Sequence, residues 1–181
     1  MPEQIVFVTE DGTPTGETGP KIESHTANTR LHLAFSCYVF NEKGEFLATQ
    51  RALSKKVWPS VWTNSVCGHP GPGEAIVAAI ERRLEYELGM TAKDFQVVLP
   101  TYRYKTPPYN GIIENEFCPV YIAVATSEPK PNPDEVAAFK WMPWDEYVQT
   151  IEVDDTDIWS WWCKNQLKLL KDVPAIKAYT A

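Results

Sequence analysis

A proline- and glycine-rich loop that runs straight into a strongly periodic helix restricts the fold of this chain more than any other feature. The loop, His69-Pro70-Gly71-Pro72-Gly73, cannot be helical, because its prolines and glycines interrupt helical hydrogen bonding. In residues 74–88, which follow, apolar side chains recur at every fourth position, at Ile76, Ile80, Leu84 and Leu88. Gly89 is a natural helix stop. We therefore predict an amphipathic helix over 74–88.

Runs of strand-forming residues lie on both sides of this helix. Strands are predicted over 5–8, 31–40, 45–51, 62–66, 95–99, 102–105, 117–125 and 139–142. Asn41-Glu42-Lys43-Gly44 predicts a hairpin turn, and 13–30 and 128–133 are expected to be loops. A turn of helix is expected at 144–148 and a last helix over 158–170. Strands, one central helix, more strands and then helices indicate a single compact α+β domain.

The composition fits one globular domain and disfavours two classes of partner. The 181 residues carry 17 basic and 24 acidic side chains, which gives a net charge of −7. A chain this acidic is a poor general binder of nucleic acid or of anionic membranes. No apolar run approaches the roughly 20 residues that a membrane helix needs, and Met1-Pro2-Glu3-Gln4 lacks the layout of a signal peptide. We therefore expect a cytoplasmic protein without a nucleic-acid or membrane partner.

The cysteines agree with a reducing compartment. Cys37, Cys67, Cys118 and Cys163 are scattered, and no C-x-x-C pair occurs among them. This spacing indicates neither a zinc ribbon nor a disulfide scaffold. Free thiols are the simplest interpretation.

Histidines and one pair of carboxylates predict a metal site. The only histidines are His25, His32 and His69, all in loops or at element edges. In a strand, Glu114 and Glu116 would point to the same face, and a shared cation would relieve their repulsion. A solvated edge strand is the alternative for this pair. Three imidazoles and two carboxylates suit Mn²⁺, Zn²⁺ or Mg²⁺.

Cys67 lies beside a candidate metal ligand and just before the flexible loop. A neighbouring cation lowers the pKa of a thiol, so Cys67 is a candidate acid, base or nucleophile. The alternative is a small buried apolar residue. That alternative is favoured for the other three cysteines, which lie in apolar or helical runs.

Several cations stand out in this acidic chain: Lys21, Arg51, Lys55, Lys56 and Arg83. Lys and Arg are the residues that bind phosphate groups. Arg83 and Glu87 are four residues apart, hence on one face of the predicted helix. They form either a simple ion pair, or a site in which Arg83 contacts phosphate while Glu87 holds a Mg²⁺ on the same phosphates.

The segment from Gly68 to Met90 resembles the Nudix box, G-x5-E-x7-R-E-U-x-E-E-x-G-U, where U is a bulky aliphatic residue. Its spacing is kept from Gly68 through Glu74 to Gly89, but Arg83 and Tyr86 stand where the motif has glutamates. Those carboxylates gather the metal ions that drive diphosphate hydrolysis. Their loss argues against hydrolysis, although Glu87 can still hold one Mg²⁺.

These two departures have a match of their own: the sequence closely resembles type I isopentenyl-diphosphate isomerase, a family of Nudix fold. The signatures are Thr29 to Phe35, Arg51 to Lys56, Trp62 to Pro70 and Glu114 to Glu116. The resemblance runs from about residue 4 to the last helix and is weakest after residue 127. It implies a Nudix-type mixed sheet with flanking helices. It also implies an N-terminal strand and loop extension over 1–30, a Nudix core over 31–145 and C-terminal helices over 146–181.

The same resemblance implies which residues act. One divalent metal (Mn²⁺, Mg²⁺ or Zn²⁺) would be bound by His25, His32, His69, Glu114 and Glu116. Glu87 would bind a Mg²⁺ on the substrate diphosphate, and Lys21, Arg51, Lys55 and Arg83 would contact the diphosphate itself. Cys67 and Glu116 would transfer protons, Tyr104 would hydrogen-bond Glu116, and Trp161 would line the hydrocarbon pocket.

The implied reaction converts isopentenyl diphosphate to dimethylallyl diphosphate by protonation and deprotonation, in isoprenoid biosynthesis. Two acid–base groups must flank the substrate carbons, and water must be excluded from the cationic intermediate. An aromatic face such as that of Trp161 stabilises positive charge without attacking it.

Two other functions remain open at this point. One is a Nudix hydrolase of a nucleoside or prenyl diphosphate. The other is a non-catalytic module that buffers metal or senses diphosphate. The partner expected is a small molecule, the chain itself being a monomer or weak homodimer. No flavin or nicotinamide is expected, because the sequence has no G-x-G-x-x-G motif.

Overall fold

A computed structural model describes residues 3–180 as two sheets with helices around them. The strands in the described chain are β1 (Gln4–Val8), β2 (Pro14–Pro20), β3 (His32–Leu33), β4 (Phe35–Phe40), β5 (Glu45–Arg51), β6 (Trp62–Thr63), β7 (Val66–Gly68), β8 (Ala92–Leu99), β9 (Arg103–Lys105), β10 (Asn115–Phe117), β11 (Val120–Ala125) and β12 (Val136–Pro143). The helices in the same residues are α1 (Lys21–Ser24), α2 (Ile76–Leu88), α3 (Trp144–Val153), α4 (Trp161–Leu170) and α5 (Pro174–Thr180).

The larger sheet has the strand order β12-β5-β4-β11-β8, with β6 added to β5 and β7 added to β4. Its central pair, β4 and β11, is parallel, whereas the other pairs are antiparallel. The smaller sheet has the order β2-β1-β3-β10-β9, and its β3–β10 pair is parallel. The mixed α+β architecture predicted from the sequence is therefore confirmed.

Both faces of the larger sheet are buried, because successive side chains of β4 point to opposite sides. Cys37 and Val39 pack with Ile80 and Leu84 of α2. Tyr38 and Phe40 pack on the other face, in a core that includes side chains of α3, α4 and α5. The sheet is thus enclosed by α2 on one side and by the C-terminal helices on the other.

The central helix agrees closely with its prediction. It spans Ile76–Leu88 instead of 74–88, and Gly89 ends it with a left-handed backbone, φ 53°, whose N–H donates to Glu85 O. The hairpin turn at 41–44 and the strand over 45–51 are also confirmed.

The prediction of a loop over 13–30 is wrong at Pro14–Pro20 and at Lys21–Ser24. Pro14–Pro20 is the edge strand of the smaller sheet, where prolines are tolerated because one side of the strand needs no ladder donor. Lys21–Ser24 is a helical turn that presents His25 at its carboxyl end.

Three predicted strands are each broken in two. The run 31–40 is interrupted at Ala34, where the chain passes from the smaller sheet to the larger one. The run 117–125 makes the same transfer around Pro119, which has no N–H for a ladder. The run 62–66 is interrupted at Asn64 and Ser65, and β7 continues beyond it to Gly68.

The C-terminal helices differ from prediction at their ends. The helix expected at 144–148 continues to Val153, and the one expected over 158–170 starts at Trp161. Residues 158–160 instead pair with Trp62 through backbone hydrogen bonds, and Ser160 caps the helix by accepting from Cys163 N. Helix α5 was not predicted as a separate element, although it lies within the C-terminal helices that the family resemblance implies over 146–181. None of the helices among residues 3–180 has the length and apolar character needed to cross a bilayer.

Candidate active site

The break between the two sheets brings the candidate metal ligands together. In the parallel β3–β10 pair, Glu116 lies directly beside His32. His25 follows α1, and Glu114 comes just before β10. His69, which directly follows β7 of the larger sheet, completes the group.

All five predicted ligands form one compact cluster. Each contributes one ligand atom, and those atoms lie within 4.8 Å of one another. Glu116 Oε1 is 3.1 Å from His69 Nε2 and 3.7 Å from His32 Nε2. Glu114 Oε2 is 3.1 Å from His25 Nε2, and the two remaining Nε2 atoms, of His32 and His69, are 3.2 Å apart.

Backbone carbonyls fix the orientation of two of the imidazoles. His25 Nδ1 lies 2.6 Å from Lys21 O, and His32 Nδ1 lies 2.9 Å from Arg30 O. A carbonyl only accepts, so each Nδ1 carries the hydrogen and donates it. The opposite nitrogen, Nε2, is then a bare lone pair that points into the cluster, which is the arrangement typical of metal-binding histidines.

A divalent cation fits this donor set. Ligands at about 2.1 Å from an ion are about 3 Å apart when adjacent and about 4.2 Å apart when opposite, and the observed separations of 3.1–3.7 Å fall in this span. Buried Glu114 Oε2 makes no hydrogen bond, although it faces His25. Bare imidazole nitrogens and carboxylate oxygens repel one another when buried, so the cluster requires a positive charge.

The pKa values of the cluster residues reflect the same interactions between imidazoles and carboxylates. Burial alone would raise the pKa of Glu116, but the neighbouring imidazoles of His32 and His69 hold it well below its usual range. Burial lowers the pKa of His69 to about 3, so this imidazole is neutral at pH 7. Burial would also lower the pKa of His25, but the Glu114 carboxylate raises it. An ionised Glu116 beside a neutral His69 is the protonation state that binds a cation.

Cys67 lies in the wall of a cavity of about 250 Å³ that also includes metal-cluster residues. His25, His69, Glu114 and Glu116 line this cavity with it. The half-buried thiol donates to Asn64 Oδ1 at 3.1 Å and lies 3.4 Å from Ser36 Oγ. Burial raises the pKa of the Cys67 thiol to about 12, so the sulfur carries its proton at neutral pH.

Each predicted phosphate-binding cation reaches the same cavity. Lys21, Arg51, Lys55 and Arg83 all line it, as do Lys56 and Glu87. Arg83 Nη2 lies 2.6 Å from Glu87 Oε1 and 3.1 Å from Glu135 Oε2, and Lys55 pairs with the same Glu135. These side chains form an alternating ionic chain along one wall.

Glu87, the predicted Mg²⁺ ligand, is also part of this ionic chain. Its pKa is raised by burial, against the opposing effect of Arg83. The Arg83 contacts use Oε1 of Glu87, which leaves the second carboxylate oxygen for another cation.

The aromatic wall differs from the sequence prediction. Trp162 and Trp58 line the cavity, with ring centroids 5.6 Å apart, but Trp161 is not among the lining residues. Trp161 packs instead against the ring of Tyr104, 5.9 Å between centroids. Because α4 begins at Trp161, Trp162 is turned by about 100° around the helix axis relative to it. Trp162 Nε1 donates to Asn64 Oδ1.

Tyr104 is adjacent to Glu116 but makes no hydrogen bond with it. The two residues are direct partners across β9 and β10, and both line the cavity. No side-chain hydrogen bond joins these two described residues in the structure, so that predicted contact is not observed.

Among the residues of the site that sequence reasoning missed are Glu135 and Trp162. Glu135 lies just after the proline-rich loop, where the acidic pair Asp134-Glu135 gave no spacing signal. Trp162 was hidden by two neighbouring tryptophans, and the position of the helix start would have identified it. Each of them contacts a cation that was predicted: Glu135 pairs with Arg83, and the Trp162 ring faces Arg51.

The comparisons with known proteins agree with this fold. The NUDIX domain family matches residues 30–162, which is more than half of the chain. A solved structure from Deinococcus radiodurans superposes with a TM-score of 0.69, at 16% identity, covering 92% of this chain and 98% of that one. A MutT NUDIX hydrolase from Burkholderia pseudomallei gives 0.59 at 19% identity, covering 78% and 98%. At these identities the likeness shows the fold, which is that of a Nudix-domain protein.

Curated relatives show which family of Nudix-domain proteins this chain resembles. A Saccharopolyspora erythraea protein named isopentenyl-diphosphate Delta-isomerase is 47% identical over 173 residues, or 96% of this chain and 88% of its own length. Proteins of that name from Paenarthrobacter aurescens and Citrobacter koseri are 53% and 48% identical over 77% and 82% of this chain, which are 76% and 82% of their own lengths. The chain therefore belongs to the isopentenyl-diphosphate Delta-isomerase family of Nudix-domain proteins, as its motifs predicted.

Proposed function

We propose that this chain isomerises isopentenyl diphosphate to dimethylallyl diphosphate, with Cys67 and Glu116 as the two proton-transfer residues. The observation that carries the proposal is their placement in one cavity, with cationic side chains and a tryptophan beside them. The family of its relatives supplies the reaction class.

The protonation states of the two groups suit the reaction. The isomerisation adds a proton to the terminal CH₂ and removes one from the carbon at position 2. It needs one group that bears a proton and one that lacks it. The Cys67 thiol is protonated because burial raises its pKa to about 12, and the Glu116 carboxylate is ionised because His32 and His69 keep its pKa low. After one turnover the two states are exchanged, and proton exchange with solvent restores them.

The remaining cavity residues bind and orient the substrate. Lys21, Arg51, Lys55 and Arg83 would bind the diphosphate, and this binding energy would hold the short hydrocarbon between the two proton-transfer groups. Trp162 would face the carbocation-like intermediate, stabilise its charge and keep water away. Tyr104, adjacent to Glu116, would close the same wall.

The metal requirement follows from the donor sets. We propose one Mn²⁺, Mg²⁺ or Zn²⁺ held by His25, His32, His69, Glu114 and Glu116, where the ion would act as a Lewis acid on the Glu116 carboxylate. A second ion, Mg²⁺ held through Glu87, would neutralise diphosphate charge.

The N-terminal and C-terminal segments belong to the same catalytic unit in this proposal. Residues 1–30 contribute Lys21 and His25, residues 31–145 form the Nudix core, and residues 146–181 contribute Trp162. A cytoplasmic location and a monomeric or weakly dimeric state stay predictions from the sequence.

The test is incubation of metal-loaded protein with isopentenyl diphosphate in D₂O, followed by NMR of the product. Deuterium should enter dimethylallyl diphosphate, and Cys67→Ala or Glu116→Ala should lower the rate by about 10²- to 10⁴-fold, the usual value of a general acid or base. Cys163→Ala is the matched control, because that buried thiol is not among the cavity-lining residues. Release of inorganic phosphate without isomerisation would identify a hydrolase. Binding without turnover would identify a sensor.

A further inference from the structure

Asn64 is a fully buried side chain that touches two of the proposed active residues at once. It lies in the gap between β6 and β7. Its Nδ2 donates to Cys37 O at 3.1 Å and to Val66 O at 2.9 Å. Both amide hydrogens are therefore used, and the carboxamide is held in one orientation.

The opposite end of this amide, Oδ1, accepts from both Cys67 and Trp162. The Cys67 sulfur and Trp162 Nε1 each lie 3.1 Å from it. An indole N–H can only donate, so it independently requires the oxygen, and not the amide nitrogen, on this side. The thiol of Cys67 and the ring of Trp162 thus share one fixed anchor.

Two other groups approach the same oxygen, which has two lone pairs. The Thr63 hydroxyl lies 3.0 Å from it, but Thr63 is also 3.0 Å from Ser160 Oγ and can turn to that partner. The Cys163 sulfur is 3.9 Å away. Trp162 has no alternative direction for its N–H, so it occupies one lone pair, and the other is available to Cys67.

We propose that Asn64 is a positioning residue that sets the direction of the Cys67 thiol relative to the Trp162 ring. This inference rests on the proposed function, because it concerns the alignment of an acid–base group with the face that stabilises the intermediate. Ser36 Oγ, 3.4 Å from the Cys67 sulfur, gives lateral support and is itself held by Gln166 Nε2 at 2.9 Å. A displacement of about 1 Å at a reacting group costs about 100-fold in rate.

The test is the separation of kcat from KM in Asn64 variants. Asn64→Leu removes the oxygen, and Asn64→Ser leaves a hydroxyl that is too short to reach Cys67 but can satisfy one carbonyl, which makes it the safer variant for folding. In either variant we expect kcat to fall by about 100-fold while KM stays within about threefold, since the diphosphate contacts are untouched.

Cys163→Ala is the matched control, because Cys163 approaches the same oxygen but is not a lining residue of the cavity. Its kcat should stay near the wild-type value. The inference is overturned if folded Asn64→Ser or Asn64→Leu keeps wild-type kcat, or if Cys163→Ala loses as much. Wild-type protein that does not turn over isopentenyl diphosphate would instead refute the proposed function.

Discussion

His69 Nε2 and Glu116 Oε1 lie 3.1 Å apart although they come from different sheets. His69 follows β7 of the larger sheet, and Glu116 lies in β10 of the smaller one. The other cluster members, His25, His32 and Glu114, lie in or beside the smaller sheet or α1. A cation bound at the cluster would therefore join the two sheets as well as serve the reaction.

Removal of the metal should lower stability together with activity. A ligand present at 100 times its Kd stabilises the folded state by about 2.7 kcal/mol, which corresponds to about 5 to 10 °C in Tm for a domain of this size. Calorimetry before and after chelation should show that fall, and added Mn²⁺ should reverse it. In Glu114→Gln, which removes one of the charged ligands, the fall in Tm on chelation should be smaller. Superimposable wild-type melting curves with and without chelator would contradict a metal at this site.

Trp162, not Trp161, should determine the rate at the hydrocarbon end. Trp162 lines the cavity, whereas Trp161 packs on Tyr104. Loss of an aromatic face that stabilises a cation costs about 0.5 to 2 kcal/mol, which lowers kcat of Trp162→Leu by about 2- to 30-fold. The lost hydrogen bond to Asn64 should bring the loss to the upper part of this range. Trp161→Leu should retain kcat within about threefold. Steady-state kinetics of the two variants would decide which tryptophan faces the substrate. A larger loss of kcat in Trp161→Leu would support the prediction from the sequence that Trp161 lines the hydrocarbon pocket.

The contrast between these tryptophans shows where sequence reasoning stops. Periodicity was sufficient for α2, because apolar side chains every four residues and Gly89 as a stop are local signals. The breaks in the predicted strands had no local signal in the sequence. Ala34 and Pro119 lie where the chain passes from one sheet to the other, and the place of that transfer depends on which strands pair. Which of Trp161 and Trp162 faces the cavity depends on the residue at which α4 begins, and Ser160 sets that start through its cap.

The five members of the His/Glu cluster were predictable because residue type and motif both pointed to them. Glu135 was not, since its role arises only when the chain after the proline-rich loop meets Arg83 of α2 and Lys55 of the loop after β5. Asn64 likewise depends on a gap between two short strands. Such contacts join segments far apart in sequence and leave no spacing pattern.

Arg83 should serve both substrate binding and stability. It lies between the Glu87 and Glu135 carboxylates, 2.6 and 3.1 Å away. Arg83→Met would leave two like charges side by side, and the loss of one partner from a buried ion pair costs about 3 to 5 kcal/mol. KM for isopentenyl diphosphate should rise at least tenfold, because a diphosphate contact is lost.

A second substitution separates these two effects of Arg83. Adding Glu135→Gln to Arg83→Met should recover part of the free energy of unfolding, measured in urea, because it removes one of the repelling charges. It should not recover KM. Unchanged KM in Arg83→Met would exclude Arg83 from the diphosphate site.

Glu74 should stabilise the loop that carries His69, in a pH-dependent way. Its carboxylate accepts from Gly71 N at 2.7 Å and from Arg82 Nε and Nη2 at 2.8 Å each, and Arg82 also donates to His69 O. The hydrogen bond from Arg82 lowers the pKa of Glu74 below its ordinary value of 4.5. Because the folded pKa is depressed, the stabilisation is present above the unfolded pKa and is lost as pH falls through the folded one.

Urea unfolding of wild type and Glu74→Gln at a series of pH values checks this prediction. At pH 7 the wild type should be more stable by about 1 kcal/mol, the upper end for a solvent-accessible ion pair, and the difference should shrink steadily below pH 4.5. Glu17→Gln removes a fully surface pair with Arg30 at 2.9 Å and should change the free energy of unfolding little at any pH. A Glu74→Gln difference that is equally large at pH 3 and pH 7 would mean that the carboxylate charge is not what holds the loop.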